Sequence, residues 1–137
     1  MSTITISSRI EKPGAFVWTC WTKPEHIMNW NAASDDWHCP KAENDLRVGG
    51  SFSSTMAARD GSFSFDFGGV YSAIEQERRI AYTLEDGRKV EVLFTPESDG
   101  TNVKQTFEPD SENPEEWQRG GWQAILDRFK AYTEAQG

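Results

Sequence analysis

The stretch Ile80–Phe107, IAYTLEDGRKVEVLFTPESDGTNVKQTF, sets the architecture of the chain. Three runs rich in β-branched and apolar residues, Ile80–Leu84, Lys89–Thr95 and Thr101–Phe107, are separated by Asp86-Gly87 and Asp99-Gly100. An Asp-Gly pair supplies the backbone conformation that a tight hairpin turn demands. The spacing therefore predicts three neighbouring antiparallel strands. Working upstream, Phe63-Ser64-Phe65-Asp66-Phe67 has a period of two, and Ser51–Ala58 alternates around Phe52 and Met56, with Asp60-Gly61 between the two runs. Thr3–Ile10 alternates as well, with Ile4, Ile6 and Ile10 as its apolar members. Strict alternation is the mark of a half-buried strand, so the text reads as an antiparallel sheet of about six strands.

The remaining segments have helical spacing. Pro13-Gly14 opens a short stretch in which Val17 and Trp21 lie four apart, on one face. Thr22-Lys23-Pro24-Glu25 has the form of a capping box and starts a second short helix through Ile27 and Met28 to Trp30. Asn31–Asp36 is a loop by composition. Near the C-terminus, Asn113-Pro114-Glu115-Glu116 places a cap residue, a first-turn proline and two acids ahead of Trp122, Ile125, Leu126 and Phe129, which recur at helical spacing. A curved sheet must cover its apolar face, and this long amphipathic helix is the element available to do so. The expected class is α+β, one domain over residues 1–137.

Composition narrows the function classes. The 137 residues carry 14 Lys and Arg against 22 Asp and Glu, a formal charge of −8. No basic run exists of the kind that phosphate backbones attract, so neither nucleic acid nor an anionic membrane surface is an expected partner. The N-terminus lacks the basic and apolar regions of a signal peptide, and no 18-residue apolar stretch is present, which gives a cytoplasmic expectation. Cys20 and Cys39 form no CxxC and are read as reduced. Mean hydropathy is low at −0.68, yet the chain holds 6 Trp, 8 Phe and 3 Tyr. Its apolar content is concentrated in a few bulky rings.

At this level the chain resembles the helix-grip fold of the START and Bet v-like proteins, the SRPBCC superfamily. Within it, the chain is similar to the branch named for the activator of heat-shock protein 90 ATPase. The residues that carry the resemblance are Val17-Trp18 with Trp21, Pro24-Glu25-His26, Trp30-Asn31, Asp36-Trp37 with Pro40, and Asp45–Phe52. Gly69-Val70-Tyr71, Arg79–Thr83 and Gln118–Trp122 with Leu126 complete them. The resemblance covers essentially the whole chain. It implies a curved antiparallel sheet with two short helices and a long C-terminal helix over it, and a cavity between sheet and helix suited to a small apolar or aromatic molecule. It fixes no reaction, because one fold hosts many functions.

Trp30, Trp37, Phe65, Phe67, Tyr71, Trp122 and Leu126 are the expected cavity residues. The competing reading makes each of them ordinary core, since aromatic rings dominate cores. Gly49-Gly50 precedes a strand, Gly68-Gly69 interrupts one where a bulge would curve the sheet, and Gly120-Gly121 falls inside the long helix. Each helical glycine costs about 1 kcal/mol relative to alanine, so either a close helix–sheet approach or room for a ligand has to explain the pair.

No metal or cofactor is expected, since His26, His38, Cys20 and Cys39 lack the spacing of a zinc site. Cys20 sits among bulky apolar residues, which disfavour a thiolate. Asp66 belongs on the face opposite Phe65 and Phe67, and Asp45 with Arg47 reads as a surface pair. No residue set forms a catalytic constellation. Three functions stay open: a binding module for a small apolar or aromatic molecule; a protein-interaction module, chaperone-directed or homodimeric, as against a monomer; and a cyclase-like or hydrolase-like enzyme in which Tyr71, His38 and Asp45 would be the first candidates.

Overall fold

This computed structural model describes residues 3–136. The elements in chain order are β1 (Ile4–Ile10), α1 (Gly14–Thr22), α2 (Pro24–Trp30), β2 (Trp37–Asn44), β3 (Ser51–Ala58), β4 (Ser64–Glu75), β5 (Arg79–Leu84), β6 (Lys89–Glu97), β7 (Gly100–Phe107) and α3 (Glu115–Ala135). All strands join one antiparallel sheet in the order β1-β7-β6-β5-β4-β3-β2. The curled sheet wraps around α3, as expected. It has seven strands rather than six. The extra one is β2, whose sequence WHCPKAEN does not alternate because its pairing with β3 slips between His38 and Lys41.

Alternation puts one set of side chains on the concave face. Ile4, Ile6 and Ile10 of β1, Val90, Val92 and Phe94 of β6, and Val103 and Phe107 of β7 are buried there with Val17, Trp18 and Cys20 of α1. Leu126 and Phe129 of α3 close over them. Helix α3 packs on β1, α1 and α2, and Lys130 anchors it by donating to the Arg9 carbonyl oxygen at 2.5 Å and to the Glu134 carboxylate at 2.7 Å.

Several local expectations are corrected. The bulge of β4 lies not at Gly68-Gly69 but at Ser72, where the pairing with β5 shifts between Tyr71 and Ala73. That extra residue lets Tyr71 and Ile74, three apart, both face the concave side. Pairing runs uninterrupted through the two glycines, from Ser53 opposite Gly68 to Leu84 opposite Gly69. Their role is close approach, because a Cβ on either would run into the carbonyl oxygen of Phe52 or of Thr83.

The turn after β6 is Ser98-Asp99, with Asp99 itself at φ 82°. Gly100 already pairs with Glu97 in the ladder, and its missing side chain leaves space for the Ile10 carbonyl. Gly61 and Gly87 do take the positive φ expected of an Asp-Gly turn, 80° and 93°.

Neither predicted cap forms. The Thr22 hydroxyl donates back to the Trp18 carbonyl at 2.7 Å, so α2 starts on Lys23 with Pro24 in its first turn and no side-chain cap. Pro114, rather than Asn113, precedes α3. The approach to α3 is organised instead by Asp110, whose carboxylate accepts from the backbone N–H groups of Glu112 and Asn113, and by buried Gln118, whose amide donates to the carbonyls of Asp110 and Asn113.

Candidate functional site

A cavity of about 810 Å³ opens between the concave sheet and the N-terminal half of α3. That volume falls within the range of small-molecule sites, roughly 300–1,000 Å³. Its sheet wall comes from inward positions: Phe52, Ser54 and Met56 of β3, Phe65, Phe67 and Tyr71 of β4, Ile80 and Tyr82 of β5, and Gln105 of β7. Ile27 and Trp30 of α2 close one end, and α3 contributes Trp117, Gly120, Gly121, Trp122 and Leu126.

Aromatic contacts hold the walls apart. Trp122 stacks on Phe107 with ring centroids 3.9 Å apart and planes within 8°, which spends one of its faces on the core. Phe67 meets Trp122 edge-on at 6.0 Å. Phe52 is edge-on to Tyr82 at 4.8 Å and tilted against Tyr71 at 5.2 Å. At the α2 end, Trp21 and Trp30 each meet Phe129 edge-on, at 4.8 and 4.9 Å, and the Trp30 indole N–H donates to the Cys20 carbonyl. The rings are locked in place by one another, so the space between them is defined by rigid surfaces.

The helical glycines resolve one of the open alternatives. A Cβ built on Gly120 or Gly121 meets nothing within 4 Å, and both residues line the cavity. Close packing of α3 on the sheet is therefore not why these positions lack side chains.

The polar groups of the lining divide into an inner and an outer set. Inside, the Tyr71 hydroxyl donates to Asn44 Oδ1 at 2.5 Å, and Asn44 Nδ2 donates on to the Thr22 carbonyl at 2.6 Å. Tyr82 and Gln105 are both buried in the same wall. Burial pushes both phenols well above the ordinary tyrosine range. At the mouth stand Glu43 and Glu116, both exposed, with Asp110 and Arg88 half-buried. The Arg88 guanidinium is already bound to Asp86 at 2.7 Å.

Of the residues expected to face a cavity, Trp30, Phe65, Phe67, Tyr71, Trp122 and Leu126 stand on this wall. Trp37 does not. It lies at the start of the irregular β2 and packs edge-on against Phe63 and Phe65, 6.1 and 6.0 Å between centroids. Sequence reasoning passed over Ser54, Tyr82 and Gln105. A signal for two of them existed: Gln105 sits between Val103 and Phe107, and Ser54 between Phe52 and Met56, at inward positions of the alternation where a polar residue needs a reason.

Elsewhere the chemistry is sparse. Burial raises the thiols of Cys20 and Cys39 above the usual cysteine value, the reverse of what a nucleophile requires. His26 Nδ1 is hydrogen-bonded to the Tyr132 hydroxyl at 2.6 Å. Asp45 and Arg47 pair at 2.9 Å at the surface, in the loop between β2 and β3. Among the described residues no group of three or more His, Cys, Asp or Glu side chains could hold a metal ion. No described helix is long and apolar enough to cross a membrane.

Comparison with known proteins agrees with this architecture. The solution structure of the AHSA1-like protein from Aeromonas hydrophila is 44% identical, with a TM-score of 0.93 over 98% of this chain and 93% of that one. A solution structure from Cytophaga hutchinsonii is 51% identical, with a TM-score of 0.84 over 96% and 92% of the two chains. A crystal structure from Chromobacterium violaceum is 25% identical, with a TM-score of 0.88 over 99% and 100%. No curated protein matches the chain. The model of the family described as "Activator of Hsp90 ATPase homolog 1-like protein" matches residues 13–134. With the match spanning all but the chain ends, and the sheet, α3 and the cavity between them in place, the chain belongs to the Activator of Hsp90 ATPase homolog 1-like family.

Proposed function

We propose that the protein is a binding module that takes one small apolar or aromatic molecule into the cavity beneath α3. The observation that carries this reading is the pairing of aromatic walls with two helical glycines that face open space. Gly120 and Gly121 together weaken α3 by about 2 kcal/mol relative to alanine, and nothing in the packing of the protein requires them. A ligand lying against that bare backbone does.

The test is a heteronuclear NMR titration with a panel of flavonoids, fatty acids and polyketide-like aromatics, following the indole N–H resonances of Trp30 and Trp122. Saturable shifts at these resonances and at backbone amides of Gly120 and Gly121 are expected from at least one probe class. A saturating panel that moved none of them would remove the proposal.

Family membership favours a second reading, a chaperone-directed interaction module, because the family takes its description from an ATPase activator. A pull-down with the cognate chaperone, joined to its ATPase assay, separates the two: binding or stimulation supports the module, and the absence of both sinks it. An enzymatic reading has less support. Tyr71, its first candidate, has its phenol held up by burial, away from the neutral range in which a general acid–base group works.

A further inference from the structure

The opening of the cavity carries large aromatic side chains that the fold leaves in water. Trp117 of α3 and Phe65 of β4 both line the cavity, yet they are 68% and 45% exposed. Phe63 adjoins Phe65, with ring centroids 6.0 Å apart, and is 60% exposed. None of the three belongs to the packed core. Exposed apolar residues scattered singly need no explanation, but a group of them rimmed by polar residues marks a contact surface. Tryptophan is also among the residues that most often anchor a protein interface.

The charge around these rings has one sign. Residues 110–116, which lead into Trp117, hold Asp110, Glu112, Glu115 and Glu116 and no Lys or Arg. Glu43 stands at the opening as well. The cations beside it are already engaged. Arg88 is bound to Asp86 at 2.7 Å, and Arg119 donates to the Thr5 carbonyl at 3.1 Å and pairs with Glu116 at 3.7 Å.

We propose that the cavity mouth is a docking surface for a protein partner whose contact segment pairs large apolar side chains with Lys or Arg. The apolar side chains cover Trp117, Phe63 and Phe65, while the cations meet the acids of residues 110–116. Complementary charge of this kind speeds encounter and rejects wrong partners. The surface stands whether or not a small molecule fills the cavity behind it.

Other occupants fit worse. An anionic lipid surface or a nucleic acid is repelled by the same acids. A second copy would bring an identical acidic rim against this one, in a chain of net charge −8. A neutral membrane would accept the rings but strip water from the carboxylates with nothing in exchange.

Peptides of defined composition test this against the full chain by NMR, at low and high salt. The probe is an amphipathic helix of Leu and Lys, about 14 residues long. A Leu–Glu helix and a Lys–Ser peptide of equal length are the comparisons. The Leu–Lys helix is expected to saturate, with shifts at the Trp117 indole N–H and at the amides of Phe63, Phe65 and residues 110–119. It should bind at least about tenfold more tightly than either comparison peptide and weaken as salt screens the rim. Trp117→Ala should reduce its affinity at least about tenfold, and Phe63→Ala repeats the test on the other side of the mouth. Val48 is exposed at the opposite end of β3, and Val48→Ala should leave binding unchanged.

Equal affinity for the Lys–Ser peptide overturns the proposal, since charge alone then suffices. Equal affinity for the Leu–Glu helix does so too, as do shifts spread over the whole acidic surface or undiminished binding by Trp117→Ala. Phosphatidylcholine vesicles that bind through Trp117, or a dimer in sedimentation that Trp117→Ala dissociates, would give the surface to a membrane or a second copy instead. No response to the Leu–Lys helix also overturns the proposal, yet leaves the small-molecule reading standing, because that is decided by the flavonoid, fatty-acid and polyketide-like panel.

Discussion

The two halves of α3 do opposite things. Its C-terminal half is packed as a core helix: Leu126 is 1% exposed and Phe129 not at all, and Phe129 is wedged edge-on between Trp21 and Trp30. Its N-terminal half shows Trp117 68% exposed and two glycines whose side-chain positions face empty space. One helix is thus clamped over the core at one end, while at the other it touches the sheet through Trp122 on Phe107 and leaves the cavity open beside it. Stability is concentrated where Trp18, Trp21, Trp30 and Phe129 meet β6 and β1. The opposite end gives up packing to keep a volume open, and that division of labour is what makes a cavity in a chain of 137 residues tolerable.

The sharpest break of the comparison is truncation at each end. Phe129→Ala should cost about 3–5 kcal/mol in urea or thermal unfolding, whereas Trp117→Ala should stay within about 0.5 kcal/mol of the parent. Comparable losses at both sites would show that the N-terminal half is packed after all.

Glycine replacement gives a smaller contrast of opposite sign. Gly69→Ala forces a Cβ against the Thr83 carbonyl and should destabilise by about 1–3 kcal/mol, as overpacking does. Gly121→Ala should instead stabilise by up to about 1 kcal/mol while weakening any ligand that rests on the helix. If Gly121→Ala lowered stability, the open shelf beside α3 would be in error.

The smallest effect, seen only at alkaline pH as a loss of stability, concerns the phenols at the inner wall. Both Tyr71 and Tyr82 have values raised by burial above the ordinary 10.0, so folding favours their protonated forms. Their contribution is whole below pH 10 and drains away as the pH climbs beyond it, because the unfolded chain ionises first. An ultraviolet alkaline titration should show at most one of the three tyrosines ionising before the protein unfolds. Two or more phenolates in a chain that still gives a folded NMR spectrum would contradict the buried placement.

Legibility followed the same division. Wherever one face of an element meets packed neighbours, the period carries the information: Ile4, Ile6 and Ile10 marked β1, Phe65 and Phe67 marked β4, and Leu126 with Phe129 marked the inward face of α3. Where packing is irregular, the signal fades. The Ser72 bulge has no compositional mark, because it is set by the need to keep both Tyr71 and Ile74 inward as the sheet curls. Trp37 was read as a wall residue on ring type alone, and its strand starts where register slips. Gln105 and Ser54 stood at inward positions of β7 and β3 but are invisible to a search for apolar residues. A polar side chain at an inward position is the sequence trace of a cavity.

One further consequence follows from the pairing of β1 with β7. Strands β3 to β7 are each hydrogen-bonded to the strand before them in the chain, but Thr5 of β1 meets Thr106 of β7 across 101 positions. A growing polypeptide can therefore zip its meander hairpin by hairpin as it emerges, while Ile4, Ile6 and Ile10 wait without a partner until β7 has been made. Closing so long a loop is entropically slow. Until β7 is made, β1 stays an apolar strand without a partner, and an unpaired strand is exposed to aggregation.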